Sequence, residues 1–335
     1  MLGERFDFRN AAGLQLSGRL EEPHDGIRGY ALFAHCFTCS KNVAAATRIS
    51  RGLVARGFGV LRFDFTGLGN SEGDFANTNF SSNTRDIIDA ASAMAASGRP
   101  ADLLVGHSLG GAAVLSAAHA IPSARAVVSV AAPSDPGHVT HLLSDDVRRI
   151  EEEGEAEVDL AGRRFKIKKQ FLEDLQEQQL GRRIHELRRA LLILHGPRDA
   201  IVSIDHARHI FEAALHPKSF VSLDEADHLL SRPVDGDYAA EIISAWSSRY
   251  LRPLPSSSNA RESVAVTSLA KLAQRIEAGP HVLRGDEPRE LGGDDTGPTP
   301  YEYLLASLGT CTSITLRMYA ARKSWPLDKV HVELN

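Results

Sequence analysis

The pentapeptide Gly106–Gly110, with the sequence GHSLG, carries the clearest chemical signal in this chain. It follows the apolar run Leu103–Val105 and precedes the helix-forming run Gly111–Ala120. The two outer glycines allow a sharp turn from strand to helix, which exposes the hydroxyl of Ser108 above the sheet and near the helix N-terminus. The pattern G-x-S-x-G in this setting predicts a nucleophilic serine.

A serine hydroxyl becomes nucleophilic when a histidine takes its proton and a carboxylate orients that histidine. Of the fourteen histidines in the chain, His228 lies in a polar loop after the strand-like segment 220–223. We expect His228 to be the base. His206 and His209 lie three positions apart on a predicted helix, so we interpret them as solvated surface residues.

Three aspartates are candidates for the residue that orients the base. Asp199 follows the buried strand-like segment 191–194, where open α/β sheets present functional groups, and it is the expected acid. Asp135 comes after an earlier strand, the one at 126–130, and is the alternative acid. Asp227 adjoins His228 in sequence and is interpreted as structural.

Short apolar runs alternate with helix-patterned segments from about Tyr30 to Trp246. This alternation predicts an α/β fold with a mostly parallel sheet flanked by helices. The expected parallel strands are 30–34, 59–63, 103–106, 126–130 and 191–194. Residues 4–8 and 14–20 are expected to form an antiparallel pair at one edge of the sheet.

The regular spacing breaks between Ala132 and Leu191, where charged helical segments intervene. We interpret residues 134–188 as a helical cap, which either shapes the substrate pocket or only decorates the surface. The stretch 251–262 is rich in Pro and Ser and has no apolar period, so it is expected to be a linker. It separates a first domain at 1–250 from a second at 263–335.

Residues Asp64–Ser71, DFTGLGNS, resemble the D-x-x-G-x-G-x-S loop of the α/β-hydrolase family. The GHSLG turn resembles the nucleophile turn of the same family, and the Gly-x-x-Asp of 196–199 resembles its acid loop. The resemblance covers residues 1 to about 250. It implies the α/β-hydrolase fold, with the catalytic residues in the chain order Ser108, Asp199, His228. It also implies hydrolysis of an ester, amide or related acyl bond through an acyl-enzyme.

The loop 35–38 resembles the His-Gly-x loop of the same family, with Cys36 in the place of the usual glycine. The backbone N–H groups of Phe37 and Leu109 are therefore the expected oxyanion donors. Cys36 and Cys39 form a C-x-x-C pattern, which we interpret as two packed thiols rather than a redox or metal pair. The odd count of three cysteines argues against a disulfide framework and fits a reducing compartment.

Residues 291–312 resemble the OsmC/Ohr family of thiol-dependent peroxidases. This resemblance implies that Cys311 is the peroxide-reacting thiol and that Glu302 is the family's glutamate. It also implies an arginine that lowers the thiol pKa, for which Arg284 is the candidate. The family's resolving cysteine is missing, so we expect the chain to be a fragment with a partial α+β OsmC-like domain. A homodimer through this domain is implied as well. The whole chain thus resembles the bifunctional α/β-hydrolase/OsmC proteins.

Composition excludes several classes of function. The net charge of −5 is mild and both signs are interspersed, which disfavours nucleic acid as a partner. Neither a signal peptide nor an apolar run of membrane-spanning length is present, so we expect a cytoplasmic protein with no membrane partner. No metal-ligand cluster or dinucleotide fingerprint occurs, so no metal and no cofactor are expected.

The function predicted from these patterns is a serine hydrolase that cleaves a carboxylic ester with a small or medium acyl group. Two alternatives stay open. The first is a thiol-dependent peroxidase that uses Cys311 and keeps the hydrolase domain as an accessory. The second is a peptidase acting on short peptides, since related folds with helical caps have that activity.

Overall fold

A central sheet of eight strands organises the first part of the chain, in the order β1-β4-β6-β5-β7-β8-β11-β12. Its strands are β1 (Gly3–Arg5), β4 (Gly18–Glu21), β5 (Gly29–Ala34), β6 (Phe58–Phe63), β7 (Ala101–His107), β8 (Ala126–Val130), β11 (Ala190–His195) and β12 (Lys218–Ser222). The pairings β1/β4 and β4/β6 are antiparallel and the others are parallel. The computed structural model describes residues 3–23, 26–36, 38–143, 146–160, 163–251, 264–278 and 281–335.

Helices cover both faces of this sheet, which is the predicted α/β architecture. The helices of this part are α1 (Ala44–Val54), α2 (Phe80–Ala96), α3 (Leu109–Ala117), α4 (Val147–Glu153), α5 (Lys169–Gln176), α6 (Leu180–His185), α7 (Asp205–Ala213) and α8 (Pro233–Ser247). Successive side chains of a strand point to opposite faces. On β11, Leu191 and Ile193 join one apolar cluster while Leu192 and Leu194 join the other. Burial on both faces explains why these strands are continuous apolar runs.

The antiparallel edge differs from its prediction. Instead of one pair from residues 4–8 and 14–20, the segment forms two pairings. The strand β1 pairs with β4, whereas β2 (Phe8–Arg9) and β3 (Gln15–Leu16) form a separate small hairpin. The pairing is interrupted at Phe6 and Asp7, where the Gly18 amide donates to the side-chain oxygen Oδ1 of Asp7 at 3.3 Å.

The cap contains a β-hairpin beside its helices. The strands β9 (Glu155–Leu160) and β10 (Arg163–Lys168) pair with each other in register from Glu155 to Lys168. Their alternating side chains Ala156, Val158 and Leu160 are buried in the same apolar cluster as α3. The cap is therefore packed into the core on the face that carries α2 and α3.

The chain divides into two compact units, Met1–Leu254 and Pro255–Asn335. The second contains a three-stranded antiparallel sheet and the helix α9 (Pro300–Lys323). Its strands are β13 (Val264–Ser268), β14 (Gln274–Ala278) and β15 (His281–Gly285). The sequence pattern predicts one strand-like segment over residues 263–276, but the chain reverses at Leu269–Ala273 and forms two strands there.

Candidate active site

Ser108 lies at the turn between β7 and α3 with a backbone conformation that its surroundings must enforce. Its φ is 57° and its ψ is −128°, in the left-handed half of backbone space that non-glycine residues rarely adopt. A Cβ at Gly106 would lie 2.3 Å from the carbonyl oxygen of Gly110, so the close turn requires glycine. The turn thus presents the Ser108 hydroxyl at the carboxyl end of a central strand and beside a helix N-terminus.

His228 connects Ser108 to Asp199 through two hydrogen bonds. Its Nε2 lies 2.9 Å from Ser108 Oγ, and its Nδ1 lies 2.8 Å from Asp199 Oδ2. Because the carboxylate can only accept, the Nδ1–H donates to it and leaves Nε2 to receive the serine proton. The three residues lie in loops that follow β7, β11 and β12, so the carboxyl edge of the sheet brings them together.

The surroundings of Asp199 keep its side chain ionised. Its Oδ1 accepts hydrogen bonds from the amides of Ile201 at 2.9 Å and Val202 at 2.8 Å. Burial raises its pKa, but hydrogen bonds from His195, His228 and Val202 outweigh burial and hold the pKa well below its usual value. A permanent carboxylate at this position can stabilise the positive charge that His228 acquires during proton transfer.

The other two aspartates contact different groups. Asp135 Oδ1 accepts the amide of Gly137 at 2.9 Å, and within the described residues no hydrogen bond or ion pair joins Asp135 to His228. Asp227 Oδ1 accepts the amide of Ser231 at 2.8 Å, so it shapes the loop that carries the histidine. The carboxylate that reaches His228 is that of Asp199.

His206 is not the solvated surface residue that its helical spacing indicates, although His209 is exposed. Its ring is partly buried and lies 4.5 Å from that of His138 in the cap. Its Nδ1 is 2.9 Å from Ser134 Oγ, which makes a second Ser–His pair in this protein. In the described part of the chain no carboxylate is hydrogen-bonded to His206, so this pair lacks the third member that the Ser108 site has.

His107 connects the turn at Ser108 to the backbone of the loop that carries His228. The ring is 1% exposed, and its Nε2 donates to the carbonyl oxygen of His228 at 2.7 Å. Burial lowers the pKa of His107 to about 4, so the ring is neutral at pH 7. The only sequence signal for His107 is its place beside Ser108, and no role follows from that place alone.

We expect the free energy of unfolding to fall as the pH is lowered from about 6.5 to about 4. Burial also lowers the pKa of His35 to about 4, whereas an unfolded histidine titrates near 6.5. Between these values the unfolded chain binds protons that the folded chain does not, so each ring contributes a slope of up to about 1.4 kcal/mol per pH unit. Urea unfolding at pH 7, 6 and 5 measures this slope.

The variant His107→Gln keeps an N–H donor and removes the titration of one ring. We expect it to reduce the slope of the free energy of unfolding against pH by up to about 1.4 kcal/mol per pH unit. Equal slopes in the wild type and in His107→Gln would show that His107 does not titrate in this window.

Leu109 is the first residue of α3, so its amide has no acceptor within the helix and is available to an oxyanion. Phe37, the other expected donor, lies outside the described residues. Leu109 borders a small cavity of about 10 Å³ that is also lined by Cys36, Thr38 and Phe65. A cavity of this size holds roughly one water molecule.

Cys36 and Cys39 are joined in a disulfide, with their Cα atoms 5.4 Å apart. The interpretation of this pair as two packed thiols is therefore wrong. The Cys39 amide donates to the Cys36 carbonyl at 3.2 Å, and this turn brings the two sulfur atoms together. A C-x-x-C pattern does not reveal whether the chain turns in this way. Cys311 is a free and exposed cysteine.

The expected thiol-site residues of the second unit have separate surroundings. Glu302 caps its own helix, since it accepts the amide of Thr299 at 2.7 Å. The carbonyl of Arg284 accepts the hydroxyl of Tyr303 at 2.7 Å. Among the described residues, neither a hydrogen bond nor an ion pair joins Arg284, Glu302 and Cys311.

Neither a metal centre nor a membrane-spanning helix occurs among the described residues. There, no group of three or more His, Cys, Asp or Glu side chains is arranged to hold a metal ion. None of the described helices combines the length and the hydropathy that crossing a membrane requires.

Comparison with known proteins adds family relationships to this geometry. Residues 31–290 match the Alpha/beta hydrolase family, and residues 292–335 match OsmC-like protein. The esterase domain of a Rhodothermus marinus protein is 48% identical with a TM-score of 0.62, over 75% of this chain and 99% of that one. Mouse (Mus musculus) mitochondrial palmitoyl-protein thioesterase ABHD10 is 25% identical over 241 residues, 68% of this chain and 80% of its own length.

The solved structures also include more distant proteins of the same fold. Est1E from Butyrivibrio proteoclasticus with bound ferulic acid is 18% identical, with a TM-score of 0.61 over 73% of this chain and 98% of that one. At this identity the similarity shows the fold alone.

Proposed function

Since this chain belongs to the Alpha/beta hydrolase family and continues into an OsmC-like segment, as its motifs predict, we propose that it is a serine hydrolase that cleaves carboxylic esters. The observation that carries the proposal is the continuous hydrogen-bonded chain from Ser108 Oγ through the His228 ring to the Asp199 carboxylate. An ordinary serine in a tight turn has no reason to be joined to a buried carboxylate in this way.

In the acylation step, His228 Nε2 takes the proton of Ser108 as Oγ attacks the ester carbonyl carbon. The carbonyl oxygen becomes an oxyanion, which the backbone N–H groups of Leu109 and Phe37 would stabilise. As the intermediate collapses, the bond to the alcohol oxygen breaks and His228 delivers its proton to the leaving alcohol. Asp199 stays ionised and balances the imidazolium charge throughout.

Deacylation repeats the same proton transfers with water as the nucleophile. His228 removes a proton from the water molecule while the water oxygen attacks the acyl carbon of the ester on Ser108. The proton then returns to Ser108 Oγ as the carboxylic acid leaves. No group other than the three side chains and two amides is needed for this cycle.

One similarity supports an ester as the bond that is cleaved. The relative at 48% identity is described as an esterase domain. Thioester cleavage is the second candidate, because the ABHD10 relative is described as a palmitoyl-protein thioesterase.

A fluorophosphonate probe with mass-spectrometric mapping tests which residue is the nucleophile. A panel of substrates tests which kind of bond is cleaved. We expect labelling at Ser108 and none in Ser108→Ala. In the panel of p-nitrophenyl esters, acyl thioesters and short peptides, the p-nitrophenyl esters should have the highest kcat/KM. Labelling elsewhere, or faster cleavage of peptides, would contradict the proposal. Peroxide consumption that requires Cys311, together with unlabelled Ser108, would favour the thiol-peroxidase alternative.

A further inference from the structure

The loop that carries Asp199, residues 196–202, is closed by a buried imidazole. His195 is the last residue of β11 and directly precedes this loop, which we call the acid loop. The side chain of His195 is 1% exposed. Its Nε2 donates to the carbonyl oxygen of Val202 at 2.8 Å, seven positions along the chain, since a carbonyl oxygen can only accept. The ring therefore connects the two ends of the acid loop.

The residue that His195 holds also holds Asp199. The amide of Val202 donates to Asp199 Oδ1 at 2.8 Å, and the amide of Asp199 donates to the Gly196 carbonyl at 3.1 Å. In addition, His195 Nε2 lies 3.5 Å from Asp199 Oδ2. This is the oxygen that accepts the hydrogen bond of His228. The ring N–H thus faces the acid loop at two oxygens, and one of them takes part in the catalytic chain.

The strand gives His195 a firmer support than the acid loop has by itself. β11 is hydrogen-bonded to β8 on one side and to β12 on the other. The carbonyl of His195 accepts the amide of Leu223 at 2.9 Å. Functional groups held by strands are placed more precisely than groups held by loops alone. The imidazole therefore passes the precision of the sheet to the loop that carries the acid.

The acid loop also lies against the loop that carries His228. A Cβ at Gly196 would lie 2.4 Å from the carbonyl oxygen of Ala226, which is two positions before His228. The two loops are therefore in contact at this point. A shift of the acid loop would change the 2.8 Å distance between Asp199 Oδ2 and His228 Nδ1.

Packing alone does not explain an imidazole at this position. Within the described part of the chain, the buried Nδ1 of His195 has no hydrogen-bond partner, and leaving a buried polar atom without one costs free energy. Such a group in a native protein points to another use of the same side chain. Both oxygens that the Nε2–H faces belong to the acid loop, so that use concerns the acid.

We propose that His195 is a positioning residue for hydrolysis at Ser108, because its Nε2–H holds Val202, faces Asp199 and keeps the acid within reach of His228. The inference rests on the proposed function, since it requires Asp199 to orient the base. His195 transfers no proton in the cycle. It acts only through the acid loop.

The variant His195→Leu tests the proposal, with kcat and KM measured on p-nitrophenyl butyrate and the active enzyme counted by fluorophosphonate titration. We expect kcat to fall by about 10- to 100-fold, the loss typical of a catalytic group displaced by about 1 Å. KM should stay within about twofold, because the change acts on the transition state through the acid. Counting active molecules prevents an unfolded fraction from imitating a loss of kcat.

Two amide variants test whether the N–H is the part of the ring that matters. In His195→Gln the side-chain amide can lie near the place of the imidazole Nε2 and donate to Val202, so kcat should return to within about fivefold of the wild type. In His195→Asn the amide is one methylene too short to reach Val202, so kcat should stay as low as in His195→Leu. The comparison of these two polar variants also decides the question if His195→Leu does not fold.

Two controls separate positioning from stability. Leu53→Ala opens a cavity at a fully buried position of α1, shortly before β6 begins at the amino edge of the sheet. It should lower Tm and leave kcat per active molecule within about threefold of the wild type. His119→Leu removes another bond from an imidazole to a carbonyl, that of Ser116 at 2.8 Å, and should also leave kcat unchanged.

Wild-type kcat in both His195→Leu and His195→Asn would overturn the inference while leaving the hydrolase intact. Equally low kcat in His195→Gln and His195→Asn would also overturn it, because the donated N–H would then not be the cause. The same holds if Leu53→Ala loses as much kcat as His195→Leu at an equal loss of Tm. Failure of the proposed function has a different signature, which is an equal rate for the wild type and Ser108→Ala.

Discussion

Replacing Ser108 by alanine is expected to lower kcat/KM for a short-chain ester by about 10⁴- to 10⁶-fold. The alanine has no oxygen to form the acyl-enzyme, so hydrolysis must rely on direct attack of water, helped only by binding and the oxyanion donors. Protein stability should change little, since the residue is partly exposed and its strained backbone is enforced by the turn. The measurement is the steady-state rate on p-nitrophenyl butyrate at high enzyme concentration.

The matched control for this change is Ser134→Ala. Ser134 is also a serine whose hydroxyl lies 2.9 Å from a histidine nitrogen, but no strand-to-helix turn presents it and its histidine has no carboxylate partner among the described residues. We expect its rate to stay within about threefold of the wild type, as is usual for changes away from the reacting atoms. Equal rates for wild type and Ser108→Ala would disprove the proposed nucleophile.

Replacing Asp199 by asparagine is expected to lower kcat by about 10⁴-fold, the loss typical of this change in serine proteases. An asparagine amide at that position can hold His228 in the tautomer whose Nε2 carries the proton, so the ring no longer accepts one from Ser108. The negative charge that stabilises the imidazolium is lost as well. The pH–rate profile of the variant should recover part of the rate at high pH, where hydroxide can replace the general base.

Asp135→Asn is the control that separates the two aspartates. Asp135 is bonded to the amide of Gly137 at 2.9 Å, and an asparagine side-chain oxygen can still accept that bond. We therefore expect a change of less than about threefold. A loss near 10⁴-fold in Asp135→Asn, with an active Asp199→Asn, would assign the acid to the position after β8.

Much of the fold follows from local pattern. Residues 126–130 are predicted as a strand and form β8 with the same bounds, because a run of small and β-branched apolar residues suits a strand buried on both faces. The GHSLG turn is equally local, since its two glycines and the flanking strand and helix are adjacent in the chain. The positions of Ser108 and of the loop that carries His228 could therefore be predicted without coordinates.

Contacts between distant segments could not be predicted in this way. His107 and His228 are 121 positions apart, and their hydrogen bond depends on how two loops approach at the edge of the sheet. The same limit explains His206, which is predicted as exposed from its helical spacing but is covered by the cap residue His138. The hydrophobic periodicity of a segment does not indicate whether another element of the fold covers it.

Sequence alone thus determined the alternating α/β architecture and the strand-to-helix turn at Ser108, because each depends on backbone preference and burial within a short segment. The tertiary structure alone decided that Asp199 rather than Asp135 reaches His228, that His107 holds the histidine loop and that Cys36 and Cys39 are bonded. These features depend on distances between loops, which the packing of the whole sheet and its helices sets.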